Sequence, residues 1–159
     1  MLSSSYSMVR LMIEPGHAHL LPNGFRYEVH KMVTATDLYL WARLTGEQYV
    51  VQRASTLDQQ TAVRRRVVHS AYLTDLIVNG ASHVAARLPP PGGILTALTV
   101  HFTAPVLVGT TLCVAVTVTD WDAEAGLYWL DLRVTRADGT LAVLGRAALR
   151  PHPTWLAAA

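Results

Sequence analysis

An alternation of apolar and polar residues is the clearest pattern in the second half of the chain. It recurs in four runs, at residues 94–103, 110–119, 126–135 and 141–149. A period of two residues is typical of strands with one buried face, so we predict four strands here. The Asp138-Gly139 pair between the last two runs favours a tight hairpin turn. The pattern therefore predicts an antiparallel sheet.

The first half of the chain is predicted to contain one strand and two helices. Residues 25–32 alternate as a strand does, and residues 34–46 combine a polar start, an apolar stripe and a terminal glycine. Residues 70–88 place apolar side chains at helical spacing, with Gly80 and Ala81 on the same stripe. Small residues there would let a sheet approach the helix backbone closely. We expect an α+β domain in which an antiparallel sheet of five or more strands wraps a long central helix.

The length of 159 residues fits one domain with a real hydrophobic core. We expect a lead-in segment at 1–24, where prolines and glycines interrupt any period, the folded domain at 25–150, and a tail at 151–159.

Composition indicates a partner subunit and a cytoplasmic location. The chain is 51% hydrophobic and only 15% charged, which leaves apolar surface for a homodimer contact through sheet edges. The single cysteine, Cys113, excludes an internal disulfide and a zinc site built from several thiols. No segment has the layout of a membrane span or a signal peptide. We expect no metal, no cofactor, no membrane and no nucleic-acid partner.

The only basic run consists of Arg64, Arg65 and Arg66. Such a run can be a solvated loop face, or it can contact the phosphates of a coenzyme A or phosphopantetheine carrier. Both interpretations remain open at this point.

The loop between the two helices and the start of the second helix resemble the signature of MaoC-like (R)-specific hydratases and dehydratases. The matching segments are LTGEQYVVQ, VVHS and, after the helix, PPPGGILTALTVHFTAPVLVGTTL and ADGTLAVLGRA. Glu47 stands at the family's catalytic Asp position and Gln52 at its catalytic His position. His69-Ser70 stands where the family has His-Gly. The resemblance covers about 25–150 and implies a single hotdog fold.

In that family a carboxylate and an imidazole act on one water while backbone N–H groups hold the thioester oxygen. Gln52 cannot transfer protons. Glu47 can act as a base if burial raises its pKa, or it can be a structural or exposed residue. Tyr49, at the position of the family's Asn, can bind a substrate oxygen or belong to the core.

His69 and Ser70 keep the family's spacing. His69 is the nearest remaining imidazole, and it can also serve only to cap the helix. The N–H of Ser70 lies at the positive end of the helix dipole and can face an oxyanion.

The resemblance implies an acyl thioester substrate, carried by coenzyme A or an acyl carrier protein. The leading hypothesis is a dehydratase or hydratase-type protein of fatty-acid or polyketide-type biosynthesis with altered chemistry. A thioesterase using Glu47 is one alternative. A non-catalytic subunit that binds an acyl chain or stabilises a partner is the other.

Overall fold

The computed structural model describes residues 21–46 and 67–152. Seven elements follow one another along these residues: β1 (Arg26–Met32), α1 (Ala35–Thr45), α2 (Ser70–Ala85), β2 (Gly93–Phe102), β3 (Thr111–Asp122), β4 (Leu127–Arg136) and β5 (Leu141–Pro151). The order of strands and helices predicted from the sequence is confirmed.

Five antiparallel strands form one sheet in the order β1-β3-β4-β5-β2 within the described ranges. The expected turn between β4 and β5 is present. The N–H of Arg136 donates to the carbonyl of Thr140 at 2.9 Å, and Gly139 has a φ of 85°, which suits a residue without a Cβ. The first and last strands of the sheet order, β1 and β2, lie at its edges.

Helix α2 crosses the inner face of the sheet and buries its apolar stripe there. Ile77, Ala81 and Val84 are fully buried. A Cβ added to Gly80 would lie 3.0 Å from Cγ2 of Val116 on β3, so the glycine allows the close approach of helix and sheet. The α+β hotdog architecture expected from the sequence is confirmed.

Helix α1 begins and ends where its sequence predicts. Thr34 is the N-cap, and its hydroxyl accepts from the Asp37 N–H while the Asp37 carboxylate accepts from the Thr34 N–H. These reciprocal bonds satisfy two donors that the first turn leaves without helical partners. Gly46 ends the helix in the left-handed conformation, with a φ of 74°.

Helix α2 ends at Ala85, three residues before the expected end at residue 88. The N–H groups of Arg87 and Leu88 instead donate to Val84 and Ala85 in tight turns, at 3.0 and 3.1 Å. Leu88 is thereby turned into the core, where it is 5% exposed. The helix therefore ends before the prolines that follow, in turns that leave Leu88 buried.

In the two described ranges no helix is both long enough and apolar enough to cross a membrane.

Candidate functional site at the start of the central helix

His69 caps the N-terminus of α2. Its Nδ1 accepts a hydrogen bond from the N–H of Ala71 at 3.3 Å, and its carbonyl accepts from the N–H groups of Tyr72 and Leu73 at 3.1 and 3.3 Å. Because Nδ1 is an acceptor, the proton of the neutral ring lies on Nε2. His69 thus acts as a helix cap, one of the two roles considered for it from the sequence, and its Nε2–H is a donor that the cap does not use.

The residues just before this helix are held by the segment between β2 and β3. Val67 forms a bridge with Leu107, and the Val68 N–H donates to the Val106 carbonyl at 2.8 Å. Val68 and Val106 are buried. The Pro-Val-x-x-Gly segment at residues 105–109 therefore holds the chain just before the helix begins.

The Trp41 ring of α1 lies beside the capping imidazole and also contacts Tyr72 of α2. The ring centroid of Trp41 lies 6.1 Å from that of His69 and 6.0 Å from that of Tyr72, which it meets edge to face. Tyr72 is 6% exposed. Burial raises the pKa of the Tyr72 phenol, and the negative charge of Asp37 adds to this effect. The phenol therefore stays protonated at neutral pH.

An ion pair fixes α1 to β1 on this side of the molecule. Lys31 Nζ donates to Asp37 Oδ1 at 2.8 Å, and hydrogen bonds from Lys31 and Thr34 lower the pKa of Asp37 to about 2. The same partner raises the pKa of Lys31. Both groups are charged at neutral pH, so α1 carries Trp41 at a fixed place beside His69.

Ser70 is exposed and is the first residue of α2. The first N–H groups of a helix have no acceptor within the helix, and the helix dipole makes this end positive. Because the N–H groups of Ala71, Tyr72 and Leu73 already donate to His69, the start of α2 offers the Ser70 N–H and His69 Nε2–H to a carbonyl or oxyanion oxygen.

Of the site residues expected from the sequence, the structure describes His69 and Ser70 and places them side by side. Six others lie outside the described residues: Glu47, Tyr49, Gln52, Arg64, Arg65 and Arg66. Their proposed roles stay predictions.

Sequence pattern alone assigns no site role to Trp41 or Tyr72. The helical spacing of Trp41 only marked it as an apolar position of α1, and the contact with His69 depends on how α1 and α2 pack.

One face of α2 away from the sheet is polar. Asp75, Asn79 and His83 are all exposed, and the His83 ring stacks on Tyr27 of β1 with centroids 4.8 Å apart. This stacking gives His83 a packing role away from the start of the helix.

A comparison with models of known protein families finds no match. Two curated proteins are similar over part of the chain. The (R)-specific enoyl-CoA hydratase of Rhodospirillum rubrum is 30% identical over 89 residues, which are 56% of this chain and 60% of that protein. The 3-hydroxybutyryl-CoA dehydratase of Methylorubrum extorquens is 28% identical over 79 residues, or 50% of this chain and 48% of that protein. The chain thus spans about half to three fifths of these relatives.

Solved structures cover more of the chain. The (R)-hydratase from A. caviae involved in PHA biosynthesis matches 82% of this chain and 96% of its own, with a TM-score of 0.68 and 25% identity. The R-hydratase PhaJ1 from Pseudomonas aeruginosa matches 82% of both chains, with a TM-score of 0.68 and 27% identity.

A hot-dog-like protein from Thermanaerovibrio acidaminovorans supports the fold alone, with a TM-score of 0.59, 18% identity and coverage of 86% of this chain and 87% of its own. The chain is a hotdog protein, and its resemblance to the MaoC-like (R)-specific hydratases and dehydratases is confirmed.

Proposed function

We propose that this protein acts on an acyl thioester, carried by coenzyme A or an acyl carrier protein, as a dehydratase or hydratase-type enzyme with altered chemistry. Fatty-acid or polyketide-type biosynthesis is the proposed setting. The observation that carries the proposal is the start of α2, where His69 caps the helix and Ser70 is exposed in a fold similar to that of (R)-hydratases.

The proposed role of this helix start is to hold the thioester oxygen. The N–H of Ser70 and the positive end of the helix dipole stabilise negative charge on that oxygen as it develops. His69 Nε2–H supplies a further donor. None of these groups depends on the two replaced family residues.

Proton transfer is the step that the replacements alter. Gln52 binds a water or a carbonyl but does not titrate, so Glu47 is the carboxylate proposed to act as base. Loss of one positioned acid-base group costs roughly a hundredfold to ten-thousandfold in rate. We therefore expect slow hydration of crotonyl-type thioesters.

The replacement of both family residues also favours a second candidate, a hotdog subunit that binds an acyl chain without turning it over. The two candidates share the binding step and differ in the chemistry. Assays for hydration and for release of free coenzyme A separate them, and the second assay also detects a thioesterase that uses Glu47.

The binding step is tested by calorimetry with unreactive acyl-coenzyme A analogues of four, six and eight carbons. An apolar channel contributes about 0.8 kcal/mol per buried methylene, so each two-carbon extension should tighten binding by roughly tenfold. Absence of binding at millimolar concentration for all three analogues would contradict the acyl-thioester proposal.

Two variants of His69 separate the cap from substrate binding. Asn is among the best N-cap residues, so His69→Asn should keep the stability of the fold, whereas His69→Ala should lose about 1 kcal/mol of unfolding free energy. Both variants lack the Nε2–H donor, and we expect both to bind the analogues more weakly. Wild-type affinity in His69→Asn would show that the imidazole only caps the helix.

A further inference from the structure

Three side chains of different ligand type, a carboxylate, an imidazole and a thiol, meet on the outer face of the sheet. The proposed function uses none of them. Tyr27 packs against His83 of α2, so its neighbours in β1 face the opposite side. Glu28 and His30 therefore share the outer face. His30 is the direct partner of Cys113 in the pairing of β1 with β3. One carboxylate oxygen, one ring nitrogen and the thiol sulfur all lie within 4.8 Å of one another.

Sulfur, nitrogen and oxygen form the donor set that zinc-type ions prefer. In a tetrahedral site with bonds of about 2.0–2.3 Å, neighbouring ligand atoms are roughly 3.3–3.8 Å apart. His30 Nε2 and Glu28 Oε1 are already 3.3 Å apart. The side chains of His30 and Glu28 are 67% and 38% exposed, so small rotations suffice to close the remaining distance.

The carboxylate of Glu28 is oriented so that one of its oxygens is available to the site that it forms with His30 and Cys113. Arg26 donates to Oε2 through Nε at 2.9 Å, whereas Oε1 lies beside His30. The carboxylate is therefore oriented before any ion arrives.

We propose that Glu28, His30 and Cys113 bind one zinc-type divalent ion, each through one ligand atom, with water completing the tetrahedron. Binding forms a metal–sulfur bond, and the proton of the Cys113 thiol leaves to solvent. Such an ion would join the edge strand β1 to β3. The proposal is independent of the acyl-thioester function, and it departs from our expectation from sequence that the chain binds no metal.

The test is a titration of the full chain with Co²⁺, which substitutes for zinc and absorbs by charge transfer when a thiolate binds it. Cys113 is the single cysteine of the chain, so this band can arise only there. Cys113→Ser should abolish the band. His30→Ala and Glu28→Gln should each weaken Co²⁺ binding by at least about tenfold, since each removes one ligand.

His101→Ala is the matched control, because His101 is an exposed histidine on β2, at the other edge of the sheet. It should bind Co²⁺ as the wild type does. Zn²⁺ should also raise the Tm of the wild type and of His101→Ala but not of the three ligand variants, because an ion that binds the folded state stabilises it. Circular dichroism checks that each variant is folded.

Either of two results would overturn the proposal. One is the absence of a charge-transfer band in the wild type at millimolar Co²⁺. The other is a band whose midpoint is unchanged in both His30→Ala and Glu28→Gln, which would mean that the thiol binds the ion alone. Because these two variants change exposed side chains, the test holds even if Cys113→Ser fails to fold.

Discussion

Asp37 makes more polar contacts than the capping of α1 alone requires. Its carboxylate accepts from the N–H and the hydroxyl of Thr34 at 2.8 and 2.7 Å and from Lys31 Nζ at 2.8 Å. Each of these bonds favours the charged form, and the bond from Lys31 is the main reason that the pKa of Asp37 is lowered to about 2. One side chain thus caps α1 and fixes it to β1.

The lowered pKa makes this contribution to stability dependent on pH. The unfolded chain has the higher pKa and takes up the proton first, so the stabilisation is complete above about pH 4 and is lost as the pH falls through about 2. Asp37→Asn should lose about 1 kcal/mol at pH 7, a value reduced by solvent screening. Urea unfolding between pH 7 and pH 2 should show the difference from wild type shrinking in acid.

Glu124→Gln provides the control, because it removes an exposed carboxylate from the turn between β3 and β4. A constant difference between Asp37→Asn and the wild type down to pH 2 would contradict the assigned role of the ion pair.

At the scale of elements, the contact between α2 and β3 limits the size of the side chain at position 80. Gly80→Ala should change the unfolding free energy by less than about 1 kcal/mol, because gained helix propensity offsets the tight contact with Val116. Gly80→Leu should lose at least about 2 kcal/mol, since the larger side chain overpacks the interface. Chemical denaturation measures both changes.

A double-mutant cycle with Val116→Ala checks the mechanism. Removing the valine methyl groups should recover part of the loss in Gly80→Leu, which appears as a coupling energy between the two sites. Strictly additive effects would place the strain elsewhere.

Local sequence pattern was sufficient for most elements and failed where long-range packing decides. Alternation located all four strands of the second half, and the Thr34 and Gly46 signals located α1. The end of α2 was wrong by three residues, because residue spacing alone does not show that the chain leaves the helix in tight turns that bury Leu88.

The candidate site was likewise only partly predictable from the sequence. The position of His69-Ser70 followed from the resemblance, whereas the neighbouring Trp41 required the packing of α1 on α2. The approach of His30 to Cys113 depends on the register between β1 and β3, two strands separated in the sequence by both described helices. No motif spacing carries that information.

At the scale of the whole molecule, the two edges of the sheet differ in chemistry. β1 contains Arg26, Glu28 and Lys31, and charged residues discourage pairing at an edge. β2 has the sequence GILTALTVHF, with no acidic or basic residue apart from one histidine, and its Ile94 and Phe102 are 61% and 46% exposed. The proposed homodimer is therefore expected to form through β2.

Two lysines introduced on β2 should disrupt this dimer. Ile94→Lys combined with Phe102→Lys places charge on both ends of the strand, and we expect self-association to weaken by at least about tenfold. Light scattering and sedimentation at micromolar concentration measure it. Leu144→Lys is the control, because Leu144 is 37% exposed but lies on the interior strand β5.

A stable wild-type monomer at these concentrations would contradict the dimer, and equal weakening by Leu144→Lys would move the interface away from the β2 edge.

The pairing of Lys31 with Asp37 makes amine chemistry a local probe of this molecule. Lys31 is the single lysine of the 159-residue chain, so an acylating reagent finds one side-chain amine. Hydrogen bonding to Asp37 raises the pKa of that amine and so lowers its reactive, unprotonated fraction. The rate of labelling at Lys31 therefore reports how often the amine separates from the Asp37 carboxylate, and it does so without any introduced tag.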